Sequence, residues 1–326
     1  MDTKQSKQRQ RGWKRKGFLE SKYYIAPPPL PTDQKPCDFR GIVLQKNEVF
    51  MDLSTHSISS GAGPLTFFIF LSIFISWIDN EFGIEILLFL IMLPSLIYII
   101  KWCFRPVPPP FRLNRQKREA YIVLEDGRHW IVPWEKVRAL VSESHSYGSA
   151  GKQGMAGLTI SFPNPDEAVD EGVPMVAACG DEKDCEAQWE CIRLFMEDDP
   201  NKAPEGYMER VINKSFLVLV IDIFRENSFG KALWELFLSI LIGEWWSHPL
   251  EHWKFKNKFS VPPEMEEWSK PIPEHQWEKR SPELQQAFDQ YYAEQRRLSW
   301  IIMSELLPLD NVSAKQIVLD YEREVF

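Results

Sequence analysis

Residues 64–78 read PLTFFIFLSIFISWI and residues 84–104 read IEILLFLIMLPSLIYIIKWCF, two apolar runs parted by Asp79, Asn80, Glu81, Phe82 and Gly83. A helix rises about 1.5 Å per residue, so crossing hydrocarbon takes roughly 20 residues. The second run reaches that length. The first does so only when Gly61–Pro64 and its Asp79 end are counted. Backbone polar groups in lipid must bond internally, which a helix achieves. Trp77, Tyr98 and Trp102 stand near the run ends, where amphipathic rings favour an interface. Pro94 predicts a kink in the second helix, because proline removes one backbone donor. The reading is a transmembrane helical hairpin over 61–104. A buried hairpin is the alternative.

Charge gives the expected orientation. Residues 1–64 hold eleven Lys/Arg against six Asp/Glu, and Lys101 and Arg105 follow the second run, while the loop carries Asp79 and Glu81. Basic flanks stay inside. The expectation is a two-pass inner-membrane protein with both termini cytoplasmic. The first twenty residues lack the apolar segment of a secretion signal, so the hairpin itself would insert the chain. Five cysteines without a regular spacing read as reduced structural residues.

On either side of the hairpin the pattern is that of strands. Residues 1–36 are basic and then proline-rich, and read as a flexible arm that touches anionic headgroups. The chain's net charge of −8 and the lack of a recognition motif argue against nucleic acid. Residues 37–60 hold a first β-hairpin, with alternation over Phe39–Leu53 and a turn at Asn47. A two-stranded hairpin alone is marginal in water, so it is expected to pair with strands beyond residue 110. Residues 105–200 supply those strands. Asp126-Gly127 marks a turn, Gly148–Gly157 reads as a flexible loop, and a closing helix opens at Gly180-Asp181. Residues 201–326 are mostly helical. Within them 216–224 and 231–246 read either as a buried pair or as helices lying on a membrane, with Trp234, Trp245, Trp246 and Trp253 suited to an interface. Last come a helix from Ser281-Pro282 to Leu307 and a short one from Ser313.

Candidate chemistry is sparse. His248 and His252 are four apart, a spacing that suits two metal ligands, but Pro249 lies between them. His145 sits among Ser142, Ser144 and Ser146 without a GxSxG turn, and the glycines that follow form no phosphate loop. No catalytic residue, metal ligand or cofactor is assigned. The candidate binding residues are the carboxylates Asp166, Glu167, Asp170 and Glu171 with Trp245 and Trp246. Residues 111–326 carry a net −12, which suits a basic protein partner.

The segment FRLNRQKREAYIV (111–123), with DGRHWIVPWEKVRALV (126–141), resembles a pleckstrin-homology-like barrel. The layout resembles an uncharacterised family of bacterial two-transmembrane-helix proteins encoded near type VI secretion and polymorphic-toxin loci. The resemblance covers about residues 25–260 and carries no catalytic motif. The expected fold is an α+β membrane protein: a transmembrane hairpin inserted in a small pleckstrin-homology-like β-barrel, followed by a helical region. The resemblance implies a non-enzymatic immunity or accessory protein that binds a toxin or effector and sits in the bilayer. The alternatives are a membrane-anchored enzyme and a lipid-sensing structural protein.

Overall fold

The computed structural model describes residues 10–306, except 18–19, 39–40, 55–58, 79–81, 125, 149–150 and 167–171. Among these residues ten strands form two antiparallel five-stranded sheets. The first runs β1-β2-β8-β9-β10, from β1 (Lys14–Lys16), β2 (Glu20–Ala26), β8 (Arg138–Gly148), β9 (Gly151–Pro163) and β10 (Gly172–Ala178). The second runs β3-β4-β5-β6-β7, from β3 (Val43–Lys46), β4 (Phe50–Leu53), β5 (Phe111–Asn114), β6 (Glu119–Val123) and β7 (His129–Pro133).

Helices α1 (Ser59–Ile78) and α2 (Phe82–Phe104) stand between β4 and β5. These strands nevertheless pair, with Phe50 opposite Asn114 and Leu53 opposite Phe111, so the hairpin is an insertion into one sheet. The expected pairing of the first hairpin with strands beyond residue 110 is therefore observed. Turn chemistry fixes the registers. Asn47 Oδ1 accepts from Val49 and Phe50 N–H at 2.8 Å each, and Asn114 Oδ1 accepts from Gln116 at 2.9 Å and Lys117 at 3.1 Å. Gly127, at φ 83°, closes the β6–β7 turn.

Both sheets share one core with α3 (Glu182–Glu197), as Met51, Leu113 and Ile122 meet Val141, Phe162, Trp189 and Phe195. Asp181 caps α3 by accepting from Asp184 N–H at 2.9 Å, and Asp184 returns the bond. Trp134 stacks on Trp189 with centroids 5.3 Å apart. Burying each such ring contributes roughly 1.5–3 kcal/mol.

Two buried ion clusters tie outer elements to this core. Arg112 grips Asp52 through Nε at 2.6 Å and Nη2 at 2.7 Å, and donates to Ser269 Oγ at 2.8 Å. Ser269 follows the short helix α4 (Pro263–Trp268). The Glu197 carboxylate accepts from Arg118 at 2.6 Å, Trp134 Nε1 at 2.7 Å and Arg280 at 2.7 Å. Glu135 accepts from Ser281 N–H at 2.9 Å, which fixes the start of α5 (Pro282–Leu306). The VPWEKV segment is thus a strut, with Trp134 and Glu135 as its contacts.

Among the described residues no helix is long and apolar enough to cross a membrane, so the transmembrane hairpin falls. The two-pass inner-membrane placement with cytoplasmic termini falls with it. The first six residues of α1, SSGAGP, are small or polar, so its apolar run is Leu65–Ile78, roughly 21 Å at 1.5 Å per residue and short of about 30 Å of hydrocarbon. Counting Gly61–Pro64 towards a span overstated the first run.

The small closed barrel is also corrected. Each sheet runs from edge to edge, because the single turn at Trp134–Lys136 carries the chain from β7 into the other sheet. Of the stretch read as a loop, Gly148 and residues 151–157 belong to the β8–β9 hairpin, with Arg138 opposite Ser161 and Gly148 opposite Gly151. At Gly154 a Cβ would meet the Glu143 carboxylate, the end of a side chain on the neighbouring strand. Within the basic arm, residues 14–16 and 20–26 form β1 and β2, because Tyr23 and Ile25 alternate into the core. The loop residues Asp79, Asn80 and Glu81, and the last short helix from Ser313, lie outside the described residues.

Candidate functional site

Three further helices follow the core: α6 (Phe216–Glu226), α7 (Phe229–Leu241) and α8 (Glu244–Lys258). Ser215 caps the first through Val218 N–H at 3.4 Å. Asn227 holds the corner between α6 and α7 by donating to Ile223 O at 3.1 Å and Glu235 Oε2 at 2.9 Å. The turn into α8 needs Gly243, at φ 80°, where a Cβ would strike Thr66 Oγ1 and approach Trp246 Nε1 to 2.6 Å. That missing side chain lets α8 lie directly on α1. Trp246 Nε1 donates to Thr66 Oγ1 at 2.8 Å, and Thr66 bonds Ala62 O at 2.8 Å.

The same helix secures α2. Lys254 donates to Trp102 O and lies 3.8 Å from that ring's centroid, while Lys258 donates to Cys103 O at 2.7 Å. Two lysines four residues apart thus satisfy carbonyls of the last turn of α2, where the helix dipole favours cations. Burial, with Lys258 and Arg105 nearby, pulls the Lys254 ammonium down to about 8. Beside these lysines Ile99 and Trp102 pack against Trp246 and Leu250, so α8 is held along α2.

The opposite surface of this layer is apolar and open. No residue of α6 is buried, although it reads FLVLVIDIFRE. Only Ala232 and Ser239 are buried in α7. Leu217 is 73% exposed, Ile73 61% and Trp234 60%. A groove of about 510 Å³ runs between α1 and α7, lined by Phe70, Ile73, Phe74, Phe237, Ile240 and Leu241. Helices 216–224 and 231–246 are therefore not the buried pair that was one reading of their sequence. Large apolar patches of this kind mark binding surfaces.

Of the binding residues singled out from sequence, Asp166, Trp245 and Trp246 are described. Trp245 is half exposed, whereas its neighbour Trp246 is packed as described. Adjacent helix positions differ by about 100°, so the pair splits between surface and strut. Asp166 lies exposed in the connection between β9 and β10. Glu167, Asp170 and Glu171 lie outside the described residues. The lysine anchors and Gly243 were missed. The spacing of Lys254 and Lys258 in WKFKNK was the available signal, but their targets come from a distant helix.

Among the described residues the histidines form no catalytic arrangement. His145 Nε2 lies 3.4 Å from Glu143 Oε2, and Ser21 Oγ donates to the same oxygen at 3.3 Å. Serine therefore faces the carboxylate and not the imidazole, the reverse of a nucleophile–base pair. His248 is buried on α8 one residue before Pro249. Among the described residues no three His, Cys, Asp or Glu side chains gather to hold a metal.

A family model described as a family of unknown function (DUF6708) matches residues 86–272. The match covers more than half of the chain, and the chain belongs to this family. No curated protein matches it, and no solved structure does.

Proposed function

We propose that this DUF6708 chain is a docking protein without turnover, whose two sheets hold a helical layer that attaches to an apolar surface. The observation that supports this reading is the open apolar face of α1, α6 and α7. Exposed side chains such as Ile73, Leu217, Trp234 and Phe237 would leave water on binding. Burying apolar surface is favourable by roughly 25 cal/mol per Å². The layer is also held stiffly, through Gly243, Trp246, Lys254 and Lys258. A pre-ordered face loses less entropy on binding. An immunity or accessory role in a bacterial toxin or secretion system fits a docking protein, and is proposed on the sequence resemblance alone.

The test replaces Ile73, Phe74, Phe237 and Ile240 together with serine. After gentle extraction, the unmodified chain should travel in an assembly larger than its own 38.2 kDa. The variant should travel free, with its unfolding midpoint in urea changed little, because these side chains are not in the core. A monodisperse unmodified chain, or a variant that stays bound, would show that the face is not the working surface.

A further inference from the structure

We infer that the occupant of this face is the headgroup–acyl boundary of an anionic lipid leaflet, which the helical layer enters from one side without crossing it. The inference rests on the docking reading above and names its partner. Three observations converge on it.

The first is the distribution of exposed apolar groups. On α2, Phe89, Leu90 and Ile91 are consecutive and all exposed, as are Ile97, Ile100 and Phe104 further on. Three consecutive positions sweep about 200° of a helix. A protein partner seated on one flank would leave the other wet, whereas a fluid apolar medium covers both. The second is shape. The helices α6 and α7 are short, amphipathic and joined by a tight corner, with Trp234 exposed among Leu233 and Phe237. Such helices lie in the plane of an interface with their apolar face buried by about 5–10 Å.

The third is charge. Lys101, Arg105 and Lys256 are exposed where α2 ends against α8, and among the described residues none of them pairs with a carboxylate. The cations that act on Lys254 beside them are Lys258 and Arg105, with no Asp or Glu. In a chain of net charge −8, this leaves a local cationic collar at the edge of the apolar layer. Phe104, 79% exposed, and Trp253 stand within it, with Lys258 5.8 Å and 5.2 Å from their ring centroids. Phosphate headgroups above an acyl layer offer the complement: anions against the collar, hydrocarbon against the rings.

The experiment is flotation of the full chain with vesicles of phosphatidylglycerol and phosphatidylcholine in equal parts, and with phosphatidylcholine alone. The expected result is flotation with the anionic vesicles, weakened by raised salt. Changing Lys101, Arg105 and Lys256 together to Gln should cut the bound fraction on the order of tenfold or more, since each base near the surface contributes separately. These three side chains are exposed, so the fold should survive, and an unchanged urea midpoint confirms it. Equal flotation with both vesicles would overturn the headgroup assignment. No flotation, while the chain still travels in a protein assembly or as a second copy of itself, would overturn the lipid occupant and leave the docking reading standing. No flotation and no assembly would overturn both.

Discussion

Replacing Glu197 with alanine is expected to destabilise the protein by about 3 kcal/mol or more, the cost of stranding a buried charge. The carboxylate is fully buried, and two guanidinium groups, from Arg118 and Arg280, converge on it with the Trp134 indole. Alanine would remove the shared acceptor. Arg118, 9% exposed, would keep Glu135 at 3.4 Å, and the indole would lose its bond beneath the Trp134–Trp189 stack. Urea titration reads the effect as a lower midpoint at unchanged slope. A loss under 1 kcal/mol would mean that the cluster contributes little and that the two sheets hold without it.

Asp52→Ala is the second large effect, also about 3–5 kcal/mol. Arg112 would remain 3% exposed with Ser269 and the Phe50 ring, 3.8 Å from its guanidinium carbon, as neighbours. Gln45 would lose its acceptor as well, at 2.7 Å in the intact protein. The pair joins β4 to β5, the strands that flank the inserted hairpin, so its loss should loosen the base of the helical layer. Changing both partners, Asp52→Leu with Arg112→Met, should recover much of the stability, because an apolar pair has no ion to strand. Equal losses for the single and double variants would show that packing, and not the unpaired arginine, sets the cost.

Much of the sheet architecture was legible in the sequence. Asp126-Gly127 and Asn47 carry their turn chemistry in their own side chains and backbone. Alternation pointed to the hairpin within Phe39–Leu53, and edge protection gave its pairing with a strand beyond residue 110, observed as β4 with β5. What escaped depends on partners far along the chain. Among the described residues of the first two strands Tyr23, Ile25 and Ala26 alone are buried, so KRKGFLESKYY carries a weak signal. The glycines of β9 resemble a loop until their pairing with the neighbouring strand β8 is seen. The apolar runs were legible as helices, but their relation to a bilayer was not. A run of residues gives a length, whereas the exposed flanks and the cationic collar arise only when α2 meets α8. Trp245 and Trp246 were paired by adjacency, and helical geometry separates them.

Hydrogen exchange on the full chain, free and in its bound assembly, tests the docking face most directly. The account predicts new protection in residues 62–75, 90–104 and 216–241, with exchange in β4, β5, β6 and α3 unchanged. Protection confined to the sheets, with the helical layer exchanging as in the free chain, would contradict it.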